Sequence, residues 1–304
     1  MRYLSLCSGI EAASVAWQPL GWVAQAFSEI DPFACALLER RFPDIPNLGD
    51  MSHINGDSCG VVDLIVGGTP CQDFSIAGKR AGLSGNRGGL SLRFVHIVAA
   101  YRPRWVVWEN VPGVLSVTRG RDFGTFIRAL DACGYHLAWR VLDACRFGVP
   151  QRRRRVYLVG HSGNWRCAAK VLFESESLRG HSAPGNGAGK TPAAGSAGRS
   201  GKRRGTGGMT QAFARCLTSR ADRYDVERET FLPSPQGVRR LTPLEWERLQ
   251  GFPDGWTDIP WRGQSAPDRL RYRALGNAMC VLVMRWLGER IAMVNKAGDG
   301  ECHA

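Results

Sequence analysis

The 304-residue sequence has no CxxC pair, no Cys/His cluster at zinc spacing and no apolar run near the ~20 residues that a membrane span needs. Its ten cysteines, scattered from Cys7 to Cys302, therefore give neither a disulfide framework nor a structural metal site, and they suit a reducing cytoplasm. The N-terminal stretch MRYLSLCSGIEAASVAW is broken by Gly9 and Glu11 before an export signal could form, so neither export nor insertion is expected. Acid is also scarce: 27 Asp and Glu face 40 Lys and Arg, a net charge of +13. That balance points to a polyanionic partner, with nucleic acid, ribosomal and membrane surfaces all satisfying it. The first strand-to-helix turn, LCSGIEAA, has one of the three glycines of a G-x-G-x-x-G fingerprint, which excludes dinucleotide pyrophosphate but leaves room for a smaller adenosyl ligand. GKT at 189–191 has Pro184 where a phosphate loop needs glycine, so that reading fails too.

What is present is a long alternation of strand and helix signals. With 44% hydrophobic residues the chain can bury a large core and carry one large domain plus a smaller one. Residues 3–7, 22–31, 62–68, 104–111, 136–144 and 154–160 read as strands, and 11–20, 32–42, 90–101 and 123–134 as helices. The alternation predicts an α/β fold with a doubly wound, mostly parallel sheet, because right-handed crossovers leave few other topologies. Residues 179–208 then hold ten glycines and six Lys or Arg without one acid, and are expected to form a flexible basic linker. In LTPLEWERLQGFPDGW (241–256), Thr242 as N-cap, Pro243 at the first position, Glu245 completing a capping box and Gly251 as the stop predict a short helix. A last amphipathic helix is expected over 277–294.

Four places could carry chemistry. GGTPCQDFS (67–75) follows the buried-strand signal VDLIV, so Cys71 stands where such a strand opens toward a ligand crevice. It reads either as a small buried filler or as a presented nucleophile. Glu29, at the tip of the second strand in SEID, is placed to accept hydrogen bonds from ribose hydroxyls, while Asp31 better suits a helix cap. Glu109 ends the tryptophan-rich strand WVVWENV, where burial beside Trp108 would disfavour its charge and let it hold a proton near neutrality. In VPQRRRRVYLV (149–159), strand alternation puts Gln151, Arg153 and Arg155 on one face and Arg152 and Arg154 on the other.

Together these stretches resemble the DNA (cytosine-5) methyltransferase family, in order as well as content, from residue 4 to about 281: SLCSGIE, SEID, GD at Gly49 and Asp50, GGTPCQDFS, WENV, QRRRRVYLVG, RRLTPLEWERLQGFPD and ALGNAMCV. The family has Phe where Cys7 stands and a second glycine where Glu11 stands. The resemblance implies a Rossmann-like, S-adenosylmethionine-dependent catalytic domain over 1–160 and a small target recognition region over 161–238. Helices over 239–295 would complete recognition and pack back on the catalytic domain, and 296–304 would be a tail. Cys71, Glu109, Arg153 and Arg155 would be catalytic. Ser8, Gly9, Ile10, Glu11, Glu29, Ile30, Asp50, Pro70, Leu90, Asn277 and Ala278 would hold the cofactor. Gln72, Ser75, Lys79, Arg80, Arg87 and Gln151 would meet DNA.

The implied reaction is methyl transfer to C5 of a cytosine flipped out of double-stranded DNA, through a covalent bond from Cys71 to C6. Glu109 would serve N3 of the ring, with Arg155 holding the base carbonyl and Arg153 behind it. No metal is implied. A monomer in the cytoplasm, a cognate restriction endonuclease and no membrane partner complete the expectation. Two alternatives stand beside it: an impaired DNA-binding homologue, and the same chemistry on transfer RNA.

Overall fold

Apolar runs rich in β-branched and aromatic residues form one six-stranded sheet: β1 (Arg2–Leu6), β2 (Val23–Ser28), β3 (Leu64–Gly67), β4 (Trp105–Asn110), β5 (His136–Asp143) and β6 (Arg154–His161). The structure is a computed structural model that describes residues 1–70, 89–173, 214–217, 230–234 and 237–301. The spatial order is β2-β1-β3-β4-β6-β5. β2, β1, β3 and β4 run parallel, and β6 is antiparallel to both β4 and β5. The fold is the α/β class with a mostly parallel sheet that the alternation predicts.

Both sheet faces are buried, and alternate residues feed two cores. Tyr3, Val66, Val107 and Val159 join α1 (Ala12–Trp17), α2 (Pro32–Arg41) and α5 (Trp165–Leu172) on one face. Leu4, Ile65, Trp108 and Leu158 join α3 (Leu90–Tyr101) and α4 (Arg121–Ala132) on the other. α8 (Val281–Glu301) also packs on the first face, crossing α1 so closely that a Cβ on Gly288 would lie 2.5 Å from the Trp17 ring. The Trp17 indole N–H uses that approach to donate to the Met284 carbonyl at 2.7 Å.

Three features depart from the expectation. β6 runs backwards, which carries the arginines at its amino end to the rim where the parallel strands have their carboxyl ends. The helix expected over 277–294 is broken: α7 (Asp268–Asn277) ends where Ala278 turns extended, with ψ 147°, and α8 restarts at Val281. Finally, α5 buries Cys167, Ala168, Val171 and Leu172 in the same core as Tyr157 and Val159, and Arg290 of α8 donates to the Val171 carbonyl at 2.6 Å. α5 therefore belongs to the sheet's covering layer, one helix beyond the boundary drawn at 160.

Past α5 come two antiparallel ribbons, β7 (Phe231–Ser234) with β8 (Gly237–Arg240) and β9 (Pro260–Trp261) with β10 (Gln264–Ser265), and between them α6 (Pro243–Gln250). α6 has the full capping box of Thr242 and Glu245 and ends at Gly251 in the left-handed region. The glycine-rich stretch 179–208 and residues 302–304 of the tail lie outside the described residues.

Candidate active site

A cavity of about 590 Å³ runs along the carboxyl rim of the sheet, from the β1 and β2 tips to the β3, β4 and β6 side. At its first end the β1-to-α1 turn is wound tightly: Cys7, Gly9 and Glu11 all have positive φ, at 51°, 56° and 61°. Glu11 thus adopts a conformation that L side chains rarely hold, where the family has glycine. Its compensation is local. The buried carboxylate caps α1, accepting from the Ser14 N–H at 3.0 Å, the Ser14 hydroxyl at 3.0 Å and the Ser5 hydroxyl at 2.8 Å. Burial nevertheless pushes the Glu11 carboxyl up to about 7, against those three donors.

Glu29 ties this turn to the end of β2. One carboxylate oxygen accepts from the Gly9 N–H at 2.7 Å, and the other from the N–H groups of Ile30 and Asp31 at 2.8 Å each. Asp31 caps α2 through the N–H groups of Phe33 and Ala34, and its other oxygen pairs with Arg273 of α7 at the cavity mouth. Asp50 accepts from the Ser52 N–H at 2.8 Å, which lowers its carboxyl below the usual range. The Ile30 side chain is 67% exposed, an apolar face left open at the rim. Cys7 lies 3.5 Å from the Met51 sulfur, so two sulfurs stand where the family has an aromatic ring. Ile10 meets the cavity only as part of the turn: its side chain is fully buried, and its carbonyl accepts from the Trp256 indole at 2.9 Å.

At the other end, β3 finishes in Gly67 and Gly68. A Cβ on Gly67 would sit 2.7 Å from the Leu6 carbonyl oxygen, so only glycine fits this close approach. Gly67 pairs with Trp108, which sets Gly68 beside Glu109 on the neighbouring tip, in the cavity that Pro70 also lines. Arg155 meets Glu109 because β6 is antiparallel: its Nε lies 3.2 Å from Glu109 Oε1. That pair is not aligned as a hydrogen bond, and Glu109 Oε1 is a buried carboxylate oxygen that accepts none. Burial pushes the Glu109 carboxyl up, opposed by the nearby Arg155 and Arg153.

Arg153 lines the cavity beside Arg155, on the side that strand alternation assigns, and is held there by the backbone around it. It is 2% exposed and donates to the carbonyls of Gly276 at 3.2 Å, Ala278 at 2.6 Å and Leu217 at 3.4 Å. It thus bolts the α7–α8 break and the 214–217 segment to the sheet while its charge still acts on Glu109. Gln151 precedes β6, is fully buried, bridges to Ala214 and does not line the cavity. Alternation fails for Gln151 alone, which lies three residues before regular strand geometry begins at Arg154. Ser8, Leu90, Asn277 and Ala278 all line the cavity. Cys71, Gln72, Ser75, Lys79, Arg80 and Arg87 lie outside the described residues. Three lining residues that sequence reasoning passed over are Ser5, Thr69 and Arg273, none of which carries a signal without its partner.

A tight, backbone-lined turn, an acid at the β2 tip, an open apolar side chain beside it and a capped Asp50 fit an adenosyl ligand with its ribose on Glu29. Fold and cavity together define an S-adenosylmethionine-dependent methyltransferase. The family model for C-5 cytosine-specific DNA methylase matches residues 1–180 and 163–293, and the chain belongs to that family. Among its relatives, the Bacillus subtilis Type II methyltransferase M2.BsuMI is 32% identical over 96% of this chain and 75% of its own length. A protein of Escherichia phage P1 named DNA N-6-adenine-methyltransferase is also 32% identical, over 95% of this chain, which spans 61% of that protein. The crystal structure of the S. pombe Dnmt2 methyltransferase shares the fold, with a TM-score of 0.70 at 18% identity over 97% of this chain and 99% of that one.

Proposed function

We propose that the protein methylates C5 of cytosine at a specific sequence in duplex DNA, by covalent catalysis from Cys71. The reading rests on one observation above the others: a buried Glu109 carboxyl, pushed toward its protonated form, lies 3.2 Å from Arg155 and keeps an oxygen without a hydrogen bond in the cavity that Pro70 lines. A buried carboxyl oxygen that has an ion-pair partner but accepts no hydrogen bond among the described residues costs free energy unless a ligand meets it, and a ring nitrogen that gains a proton during reaction is such a partner.

Cytosine C5 is a poor nucleophile. The Cys71 thiolate adds to C6, forming the S–C6 bond and raising electron density at C5, while Glu109 hydrogen-bonds or protonates N3. Arg155 holds the Glu109 carboxylate and the base carbonyl, so positive charge faces the adduct as it forms. S-adenosylmethionine supplies an electrophilic methyl on a sulfonium. This chain's part is to orient it through the turn at residues 8–11, Glu29, Ile30, Asp50, Leu90, Asn277 and Ala278. C5 then loses its proton, the electrons re-form the C5–C6 double bond and the thiolate leaves. Arg153 is a positioning residue in this scheme.

C6 is inaccessible in a stacked duplex, so the base must be extruded, at a cost of a few kcal/mol that phosphate contacts offset. The excess of 40 basic over 27 acidic residues supports a polyanionic substrate. Gln72, Ser75, Lys79, Arg80 and Arg87 are the DNA contacts in this reading, and Gln151 supports them from within. A monomer in the cytoplasm, with a cognate endonuclease of the kind that the Type II name of the Bacillus relative suggests, completes it. The test is transfer of tritium from methyl-labelled S-adenosylmethionine to duplex DNA, followed by sequencing of methylated bases. Label in cytosine C5 at one recurring sequence supports the reading. Label in transfer RNA alone, or in neither, contradicts it.

A further inference from the structure

Just before the nucleophile position, three buried side chains meet on Thr69. Its hydroxyl accepts from the Trp108 indole N–H at 3.1 Å and is hydrogen-bonded to the Ser91 hydroxyl at 2.9 Å, either of the two being able to donate. The Asn110 amide donates to the Thr69 carbonyl at 2.8 Å. Thr69 is 3% exposed, Ser91 5% and Trp108 fully buried, so these polar groups have no water to fall back on. Thr69 stands at the carboxyl end of β3, Trp108 lies on β4, and Ser91 is in the first turn of α3. The clasp therefore ties the backbone just after β3 to the first turn of α3 and to β4. Ser91 also follows Leu90, which lines the cofactor end of the cavity.

From this we infer that the Thr69 hydroxyl is a positioning group for methyl transfer, holding the backbone two residues before Cys71 at a fixed height on the rim through Trp108 and Ser91. The inference rests on the functional reading above. The β-branched Thr69 has few rotamers, so a second bond to Trp108 removes the remaining freedom of this side chain, two residues before Cys71. A single rigid anchor matters because displacement of a reacting atom by about 1 Å can cost roughly a hundredfold in rate. Asn110 fixes the carbonyl of the same residue, so the hydroxyl and the carbonyl of Thr69 are both held by the core.

The test compares Thr69→Val, which keeps shape and removes the hydroxyl, with Thr69→Ser, which restores it, and Ser91→Ala, which spares the Trp108 bond. For each, the single-turnover rate of covalent trapping on duplex DNA carrying 5-fluorocytosine is measured at saturating S-adenosylmethionine, beside the Kd for cofactor and for DNA. Thr69→Val is expected to slow trapping about ten- to a hundredfold with both Kd values unchanged, Ser91→Ala to slow it less, and Thr69→Ser to recover most of the rate. Trapping by Thr69→Val and Ser91→Ala at the wild-type rate overturns the inference, as does failure of Thr69→Ser to recover it. If Thr69→Val does not fold, the Ser91→Ala and Thr69→Ser rates decide alone. Absence of trapping by the wild-type protein would overturn the functional reading itself, and this inference with it.

Discussion

Glu29 and Glu109 line one cavity and are held in opposite ways. Glu29 accepts three backbone N–H groups at 2.7 to 2.8 Å and so fixes the geometry of the β1 and β2 tips. Glu109 accepts no hydrogen bond on Oε1, faces a guanidinium at 3.2 Å and is driven upward by burial. In the proposed reading, the same residue type serves a cofactor at one end, as an acceptor already oriented by the backbone, and a reacting base at the other, as a group able to exchange a proton. Environment decides the role, as it does where two carboxyls in one site are pushed to different protonation states.

The sharpest way to break this comparison is at the base end. Cys71→Ser is expected to abolish methyl transfer while leaving DNA affinity in a gel-shift assay close to wild type. Glu109→Gln comes next: it keeps size but cannot give up a proton, and kcat should fall by about 10²- to 10⁴-fold, with the Kd for S-adenosylmethionine unchanged by calorimetry. At the cofactor end the order reverses, and binding rather than chemistry carries the loss. Glu29→Gln should weaken S-adenosylmethionine by about tenfold, the value of one charge-assisted hydrogen bond, with kcat at saturation nearly intact.

Glu11 sharpens the comparison from a third side, through stability. Its carboxyl is raised from 4.5 to about 7 in the folded protein, so between those values the folded state holds a proton that the unfolded chain has released. Stability from this group is full below pH 4.5 and is lost as pH rises through about 7. Glu11→Gln removes that slope, which at 1.36 kcal/mol per pH unit amounts to roughly 3 kcal/mol; urea unfolding at pH 4.5 and 7.5 measures it. The smallest effect is expected from deleting residues 183–206, which, read from composition as a linker, should shift the melting temperature little, since the cost of chain closure grows slowly with linker length.

Much of this was legible in the sequence where local chemistry repeats. Buried strands announce themselves by apolar runs, and the Thr242–Glu245 box and the Asp31 cap follow from residue type and spacing alone. Glu29 and Glu109 were readable because each ends a strand. Strand direction was not: RRVYLVG has the same pattern read either way, and only the antiparallel pairing of β6 puts Arg155 on Glu109. Nor was the role of Arg153, whose three carbonyl acceptors come from Leu217, Gly276 and Ala278, far along the chain. The break after Asn277 hides in an amphipathic stretch because Ala278 is a good helix former that tertiary contacts hold extended. Nor was the part played by Glu11 legible, a residue that stands where the resemblance implies glycine and caps α1 from a left-handed backbone.

The most direct measurement is mass spectrometry of the protein after incubation with S-adenosylmethionine and duplex DNA carrying 5-fluorocytosine at the recognition site. The fluorine blocks release of the C5 substituent, so a thiol that has attacked C6 stays bonded to a methylated base. A modified nucleotide carried on the peptide that contains Cys71 is the predicted result. Unmodified Cys71 together with methylated cytosine in ordinary DNA, or an adduct on another cysteine such as Cys216, would contradict the account.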